Sequence, residues 1–423
     1  MRILMAGLAV LPLQGCDALD RLLSVEPQDR APASAIESSP ANAKLLANSA
    51  VADFDCAFGA YVVIGGLIGE ELDDTRPNII DRKAYDQRVH TSKDRVYAVR
   101  GCESMGVYTP LQTARVSAER ALRLLESWSD AEVPQRATLI ARMHAYAGYS
   151  TLLLGEGFCT TVLSPLDAKL EVVYGGEISR DSAFKVADAR LGAAITAAEA
   201  VGVDASDLLN LALVGRARAR LDRGDLTGAR SDAMRVPQAF FYEMTASATS
   251  ERRNNRVWAL ERTDRLTSVG VLYRSLGDPR VPLINARGPT GASISQQNKY
   301  PSASSPIRIA SGAEAQLIIA EVDIAAGTAS SLQNAAAVVN TFRARGNQPP
   351  LSIADQTTLR AALIDQRRRE LFLEGQHLGD IIRFDVTLTP AAGTRFPGGG
   401  VYGSQKCLFL PDVERRNNPA LHG

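Results

Sequence analysis

The sequence predicts a mostly α-helical protein, in which antiparallel helix pairs stack into a curved solenoid beneath an irregular capping subdomain with short strands. Apolar residues recur with the 3.6-residue helical period from about Pro110 onward. Two stretches, 208–237 and 313–346, have the pattern of two helices joined at a glycine break. Segments broken by Gly and Pro, above all 240–305, interrupt the helical pattern and predict the capping subdomain.

The first predicted helices are 111–128 and 134–154, both rich in apolar residues at helical spacing. Ser179 or Asp181 can cap the next helix, which runs to about residue 200 and stops at Gly202.

The stretch 208–237 resembles a tetratricopeptide unit. Gly224-Asp225 forms the turn, and the small residues Ala229 and Ala233 let the two helices approach closely. A similar pair follows at 313–326 and 332–345. Stacked pairs of this kind form a solenoid because each buries a face that its neighbour supplies.

The N-terminus predicts a lipoprotein signal peptide over residues 1–15. Arg2 precedes an apolar run, 3–13, that is too short to span a bilayer. It ends in Leu-Gln-Gly before Cys16, which resembles a lipobox, so Cys16 is the predicted acylation site. An ordinary secretory signal with a chance cysteine, or a buried apolar start, is the alternative.

The mature chain is predicted to be anchored to a membrane rather than threaded through it. Residues 16–48 have the Ser/Pro/Ala-rich composition of a tether. No other apolar run approaches the roughly 18 residues of a membrane span.

Charge and cysteine content narrow the class further. Lys+Arg and Asp+Glu both total 47, and this balance argues against nucleic acid as a partner. Beyond Cys16 four cysteines remain, which in an oxidising compartment suggests two disulfides. Of the three pairings we favour Cys56 with Cys102 and Cys159 with Cys407; four buried thiols are the alternative.

No catalytic, metal-binding or cofactor motif is predicted. The four histidines form no H-E-x-x-H, and the S-x-x-K at Ser182 lacks its companion motifs. Gly398–Gly403 spells G-x-G-x-x-G without a preceding strand or following helix. The acids Glu70-Glu71 and Asp73-Asp74 leave a glycosidase open, although adjacent loop acids are more often solvated or ligate a cation.

The stretch 367–380 is dense in charge and is predicted to be one helix. Ile364, Leu371, Leu378 and Ile382 recur at helical spacing, with Gly375 on the same side. Its charges form either a solvated face or a semi-buried lattice of ion pairs.

Several segments in order resemble the SusD/RagB-like lipoproteins. The charged stretch 367–380 is similar to the signature E-R-R-R-E-L-x-x-E-G-x-R-x-x-D-L-x-R, with departures at Gln366, His377, Leu378 and Gly379. Further matches are Asp278-Pro279-Arg280, Lys299-Tyr300, the helix 314–321, Asn340–Arg345, Leu410–Glu414 and Asn418-Pro419-Ala420-Leu421.

The resemblance implies a SusD-like domain over 49–423. Its helical-repeat scaffold comprises 106–237 and 306–388, its ligand-side segments 60–105 and 240–305, and its C-terminal loop 389–423. It also implies a lipid-anchored, cell-surface protein of the outer membrane. Such proteins capture an oligosaccharide, or a peptide, for a SusC-like TonB-dependent transporter, without catalysis or cofactor.

Candidate ligand-binding residues are aromatic and charged side chains in the irregular segments, because sugar faces stack on rings. They are Arg82, Tyr97, Trp258, Tyr273, Asp278, Arg280 and Tyr300. Trp258 also suits a core position in a strand-like run, 256–260, and Asp278 and Arg280 also suit a structural ion pair. Only 6% of residues are aromatic, which makes a long glucan ligand less certain and leaves peptide open.

Two other functional classes stay open. One is a helical-repeat adaptor that assembles envelope complexes without binding a nutrient. The other is an envelope glycoside hydrolase.

If the charged stretch belongs to the scaffold, Arg369→Ala or Glu374→Ala will lower the melting temperature and leave the ligand affinity of the folded fraction unchanged. Thermal unfolding and titration calorimetry on the same preparations measure both. A stable variant that has lost binding would show that the stretch contacts ligand.

Overall fold

The computed structural model describes residues 37, 39–76, 80–352 and 355–422. The predicted signal peptide, Cys16 and most of the predicted tether lie outside these residues.

Thirteen α-helices and eight short strands form the described part of the chain. The helices are α1 Ala43–Ile68, α2 Ile80–Asp86, α3 Tyr108–Ser127, α4 Arg136–Gly157, α5 Arg180–Val201, α6 Ser206–Asp222, α7 Leu226–Ala233, α8 Arg256–Trp258, α9 Gly312–Ala326, α10 Ala329–Arg345, α11 Gln356–Glu370, α12 His377–Arg383 and α13 Asp412–Asn417. The strands are β1 Leu72–Asp74, β2 Thr160–Val162, β3 Glu177–Ser179, β4 Phe241–Met244, β5 Thr267–Val269, β6 Leu283–Arg287, β7 Ser293–Gln297 and β8 Ile307–Ser311.

The long helices pack in a continuous series. α1 packs against α3 and α4, α4 against α5, α5 against α6, and α6 against α7. α9 packs against α7, and it forms the second predicted pair with α10; both helices of that pair pack against α11. This confirms the predicted mostly helical fold, in which each pair buries a face of the next.

Side-chain caps explain where several helices begin. The Ser179 hydroxyl accepts from the Ser182 amide at 3.2 Å, and α5 ends before Gly202, whose φ is +85°. Asp225, Ser311 and Asp355 cap α7, α9 and α11 in the same way. The predicted start and end of α5 are therefore confirmed to within about a residue.

The first tetratricopeptide-like pair is confirmed as α6 and α7. Ala229 and Ala233 are fully buried between the helices. Arg216 forms two hydrogen bonds to Asp232, at 2.8 and 2.7 Å, and so fastens one helix to the other.

Helix α1 corrects the prediction at the N-terminal end. Its first six residues lie in the predicted tether and its last nine in the predicted ligand-side segment 60–105. It is long and apolar enough to cross a membrane, which the sequence analysis excluded, but 89% of its most apolar window is buried in the protein. Because it is enclosed on nearly all sides, it lacks the polar face that makes a helical period visible.

The strands form four two-stranded antiparallel sheets: β1 with β5, β2 with β3, β4 with β8, and β6 with β7. They confirm short strands in the capping region. The run 256–260 is not one of them, because the Asn255 side chain accepts from the Trp258 amide at 2.9 Å and starts α8, followed by a π-turn at Ala259–Thr263.

The charged stretch is not one helix, contrary to the prediction. α11 ends at Glu370 and α12 begins at His377. Between them Leu373 and Gly375 have φ values of +54° and +83°, which no right-handed helix contains. A Cβ on Gly375 would lie 3.1 Å from the Phe58 ring, so α1 also needs glycine there.

The charges of this segment form buried ion pairs. Arg367 binds both oxygens of Asp380, each at 2.8 Å, and both residues are almost fully buried. Glu374, also buried, accepts from Lys299 at 2.6 Å. Glu370 connects the segment to α10, because it accepts from Arg345 at 3.1 Å.

Arg367→Leu is expected to lower the free energy of unfolding by roughly 3–5 kcal/mol, because it leaves the buried Asp380 carboxylate short of its main partner. Arg368→Leu is the matched control. Arg368 lies on the same helix but is half-buried. It pairs with the partly exposed Asp365 and lies 5.9 Å from the Tyr273 ring centroid, so its loss should cost about 1–2 kcal/mol. Chemical denaturation compares them, and equal losses would contradict a structural role specific to the buried pair.

Glu71→Gln is expected to make stability less dependent on pH. Glu71 is 1% exposed and accepts from the Leu373 amide at 2.7 Å, an acceptor that Gln retains. Burial raises the pKa of Glu71 from 4.5 to about 8, so the wild-type protein loses stability as pH rises through that range.

The free energy of unfolding of the variant should equal that of the wild type near pH 4.5 and exceed it near pH 8. The difference should grow by at most about 1.4 kcal/mol per pH unit. Urea titrations at a series of pH values measure the difference. The exposed Glu171→Gln is the control, and parallel curves for Glu71→Gln and the wild type would refute the expectation.

Candidate functional site

A cleft of about 800 Å³ opens between one predicted ligand-side segment and the C-terminal loop. One wall is the loop 92–100, the floor is the first turn of α3, and the opposite wall is α13. Its lining residues are Ser92, Lys93, Asp94, Arg95, Ala98, Val99, Arg100, Tyr108, Thr109, Pro411, Asp412, Val413, Glu414, Arg416 and Asn417.

The loop wall is held from below by Tyr97. Its ring is fully buried, and its hydroxyl donates to the Phe409 carbonyl at 3.0 Å. Asp94 accepts from the Thr91 amide at 2.6 Å and closes the turn at the start of the loop. Tyr97 was predicted to contact ligand, but the structure places it beneath the cleft as an anchor between the two walls.

The α13 wall is tied to several distant parts of the chain. The Asp412 amide donates to the Ser92 carbonyl at 2.8 Å, joining the walls directly. Arg415 makes two hydrogen bonds of 2.8 Å to Glu177 on β3, and Asn418 donates to the Gly175 carbonyl at 2.9 Å. The predicted C-terminal loop therefore contains a fixed helix.

Two disulfides brace this region. The structure joins Cys56 to Cys102, with a Cα–Cα distance of 5.7 Å, and Cys159 to Cys407, with a distance of 5.3 Å. The first ties the ligand-side segment to α1, and the second ties α4 to the segment before α13.

Seven of the fifteen residues that line the cleft are charged. Four cations line it, namely Lys93, Arg95, Arg100 and Arg416, with three carboxylates, Asp94, Asp412 and Glu414. Arg416 pairs with Asp412 at 3.4 Å, and Glu414 accepts from Asn418 at 2.9 Å.

An aromatic stacking platform is not part of this lining. Tyr108 is its only aromatic residue, and only 2% of Tyr108 is exposed. No lining ring presents a face on which a sugar could stack.

Tyr273 and Tyr300 lie in the core beneath the turn between α11 and α12. The Tyr273 ring packs against Phe372 with centroids 4.9 Å apart, and the Tyr300 hydroxyl donates to the Leu373 carbonyl at 2.9 Å. Burial raises the pKa of both phenols, which keeps them protonated. Neither ring has an exposed face, so as candidates for ligand stacking they are corrected to structural roles.

Asp278 and Arg280 form the structural ion pair that the sequence left open as an alternative. Arg280 donates to both Asp278 oxygens, at 2.9 and 2.7 Å, and reaches Glu370 at 3.2 Å. Burial raises the pKa of Asp278, but hydrogen bonds from Arg280 outweigh it and the net pKa is lowered. This network fastens the capping region to α11.

Arg82 and Trp258 also lie away from the cleft. Arg82 is 3.7 Å from Asp74, and the half-buried Trp258 donates from its indole nitrogen to the Pro301 carbonyl at 3.1 Å. The seven candidates are thus not brought together: Tyr97 alone touches the cleft walls, from behind.

The four adjacent acids of the first ligand-side segment have internal partners. Glu70 pairs with Arg88 at 2.8 Å, Asp73 pairs with Arg274, and Asp74 faces Arg82. Burial raises the pKa of Glu70 to about 7 and of Asp73 to about 6. Raised values suit a general acid, but none of these carboxyls lines the cleft.

A metal site finds no support in the part of the chain that the structure describes. The one group with suitable geometry there is Cys56, Cys102 and Glu103, and its two sulfurs are joined in a disulfide.

The cations that give the cleft its charge were not among the predicted site residues. Lys93, Arg95 and Arg100 lie in a segment predicted to be on the ligand side, but the predicted contacts there were mainly aromatic. The available signal was three cations within eight positions of an irregular segment, with a single acid, Asp94, among them.

The described chain has the same fold as several solved structures. A SusD superfamily protein from Bacteroides fragilis aligns with a TM-score of 0.70 at 13% identity, over 91% of this chain and 99% of that one. A SusD superfamily protein from Bacteroides vulgatus aligns with a TM-score of 0.69 at 13% identity, over 91% and 98%. A SusD-like carbohydrate binding protein from Bacteroides vulgatus aligns with a TM-score of 0.68 at 14% identity, over 91% and 97%.

Sequence comparison agrees over a shorter range. No curated protein matches the chain. The SusD family model matches residues 293–409, which include the charged segment between α11 and α12. The resemblance stated from the sequence is confirmed: the protein has the SusD superfamily fold, and its residues 293–409 match the SusD family.

Proposed function

We propose that this protein is a lipid-anchored, cell-surface lipoprotein of the outer membrane. It captures an oligosaccharide, or a peptide, in the cleft between loop 92–100 and α13, and delivers it to a SusC-like TonB-dependent transporter. It performs no chemistry on the ligand and carries no cofactor.

The cleft is the observation that carries the proposal. Its volume of about 800 Å³ lies within the usual range for small-ligand sites, which is roughly 300–1,000 Å³. Its walls are joined by the Asp412–Ser92 hydrogen bond and supported by Tyr97, so the site exists before ligand arrives. A preformed site loses little conformational entropy on binding.

The solved structure described as a SusD-like carbohydrate binding protein supports a saccharide as the first choice of ligand. The polar lining is consistent with it, because Ser92, Thr109 and Asn417 offer groups that hydrogen-bond to hydroxyls.

The positions and partners of the four adjacent carboxyls support binding without catalysis. A glycosidase needs two carboxyls about 5–10 Å apart on either side of the scissile bond. Glu70, Glu71, Asp73 and Asp74 are instead committed to internal partners outside the cleft.

One observation favours the adaptor as a second candidate. A groove of about 580 Å³ lies among α9, α11 and α12 on the helical-repeat layer, lined in part by Ile324, Leu363 and Phe384. Helical-repeat proteins often bind partners along such surfaces.

Val413→Trp tests the cleft as the capture site. Val413 is 45% exposed on α13, so the indole should fit without unfolding the helix and should obstruct the cleft. We expect saccharide affinity, measured by calorimetry on the soluble protein that begins after Cys16, to fall at least about tenfold. The control is Val203→Trp, at an 85% exposed valine outside the cleft, which should bind as the wild type does.

Native co-purification from membranes separates the two candidates. A nutrient receptor should bring down a large β-barrel transporter in both valine variants, whereas an adaptor should bring down other envelope proteins and bind no saccharide. Unchanged saccharide affinity in Val413→Trp would show that the ligand binds outside this cleft. Release of new reducing ends from a bound glycan would replace the proposal with hydrolysis.

A further inference from the structure

Three cations on the loop wall of the cleft have no partner of opposite charge among the described residues. Lys93, Arg95 and Arg100 are all exposed and all line the cleft. None forms an ion pair with a residue that the structure describes, although 34 ion pairs are formed elsewhere among those residues. Exposed cations on a convex surface are simply solvated, but these three line the same wall of one cleft.

The carboxylates of the cleft offset these cations only in part. Asp412 is paired with Arg416 on α13, whereas Asp94 and Glu414 accept from the neutral Thr91 amide and Asn418 side chain and keep their charge. The loop wall carries three cations and one carboxylate, Asp94, so the charge it presents to the cleft is still positive.

The backbone keeps the three cations on one side. Lys93 and Arg95 precede a 3₁₀ turn, Val96–Ala98, and Arg100 follows it. Tyr97, in the middle of that turn, is anchored in the core by its hydroxyl. The side chains thus project from a turn whose position is fixed, and only their own rotamers remain to be ordered by a ligand.

We propose that the ligand of this cleft is an anionic saccharide, one that bears carboxylate or sulfate groups. The inference rests on the proposed function and names its substrate class. Arg95 and Arg100 can each bind a carboxylate or sulfate through two parallel N–H donors, and Lys93 supplies a third point charge. The hydroxyls of the sugar can form hydrogen bonds to Ser92, Thr109 and Asn417, which also line the cleft.

An acidic peptide is the weaker match to this cleft. Extended peptides bind by adding a strand to a sheet edge, helical ones by burying apolar side chains in a groove, and acidic motifs by pairing with arginine clusters. The cleft is lined by loops and helices with no strand, and Val413 is its only large exposed apolar residue. The cations alone would also suit an acidic peptide, but the hydrogen-bonding groups of Ser92, Thr109 and Asn417 beside them match the hydroxyls of a sugar.

The test uses probes that differ only in charge. Short oligogalacturonides are compared with their methyl esters, and chondroitin sulfate oligosaccharides with the desulfated forms, by calorimetry at low and high ionic strength. We expect at least one charged probe to bind about tenfold more tightly than its neutral counterpart, and to weaken as salt screens the cations.

The second part of the test removes the positive charges of the loop wall. The triple variant Lys93→Gln, Arg95→Gln and Arg100→Gln should weaken the charged probe about tenfold, the combined effect of three exposed ion pairs, and leave neutral probes unchanged. The matched control changes three exposed cations outside the cleft in the same way, namely Lys44→Gln, Arg123→Gln and Arg265→Gln. It should bind as the wild type does.

The possible results distinguish failure of the anionic-saccharide proposal from failure of the proposed receptor function. If neutral saccharides bind in the cleft and the charged probes have no advantage, the anionic class is wrong and the nutrient receptor stands. Binding of oligoglutamate but of neither charged saccharide also overturns it. If no saccharide or peptide binds and no transporter co-purifies, the proposed function itself fails.

Discussion

The buried pair of Arg367 and Asp380 is the interaction on which the rest of the architecture depends. It joins the end of α11 to the start of α12 across a turn that no helix could make. Asp380 also accepts from Arg383, which reaches Glu321 on α9 and Asp222 on α6. Burial raises the pKa of Asp380, yet these arginines lower it to about 2. These buried ion pairs tolerate little displacement, because a buried charge without a partner destabilises the fold.

The rigidity of this scaffold reaches the cleft through the capping region. The turn between α11 and α12 accepts hydrogen bonds from Lys299 and Tyr300, and donates one to Glu71. Glu71 lies just beyond α1, whose disulfide to Cys102 leads into the floor and loop wall. The opposite wall is fixed separately, by the disulfide between Cys159 and Cys407. Two distant segments are thereby held as one concave surface, which a ligand can meet without ordering the backbone.

The candidate site was only partly predictable. The ligand-side segment 60–105 was identified as irregular, and it supplies one wall of the cleft. Tyr97, Tyr273 and Tyr300 were singled out because aromatic residues in loops are typical of sugar sites, but all three rings are buried. Sequence cannot show whether a loop tyrosine turns inward. Nor could it place the C-terminal residues 411–417 opposite that segment, since hydrogen bonds between parts of the chain about 320 residues apart leave no local pattern.

The sequence by itself determined the amphipathic helices and their ends, because polar faces, caps such as Ser179 and stops such as Gly202 act locally. It also determined the likeness to the SusD family, through ordered motifs. Only the tertiary structure decided that α1 is the enclosed central helix, since full burial erases the helical period. It alone decided that the charges of 367–380 are ion-paired in the interior. It also left Lys93, Arg95 and Arg100 unpaired, because pairing depends on partners that only folding brings within reach.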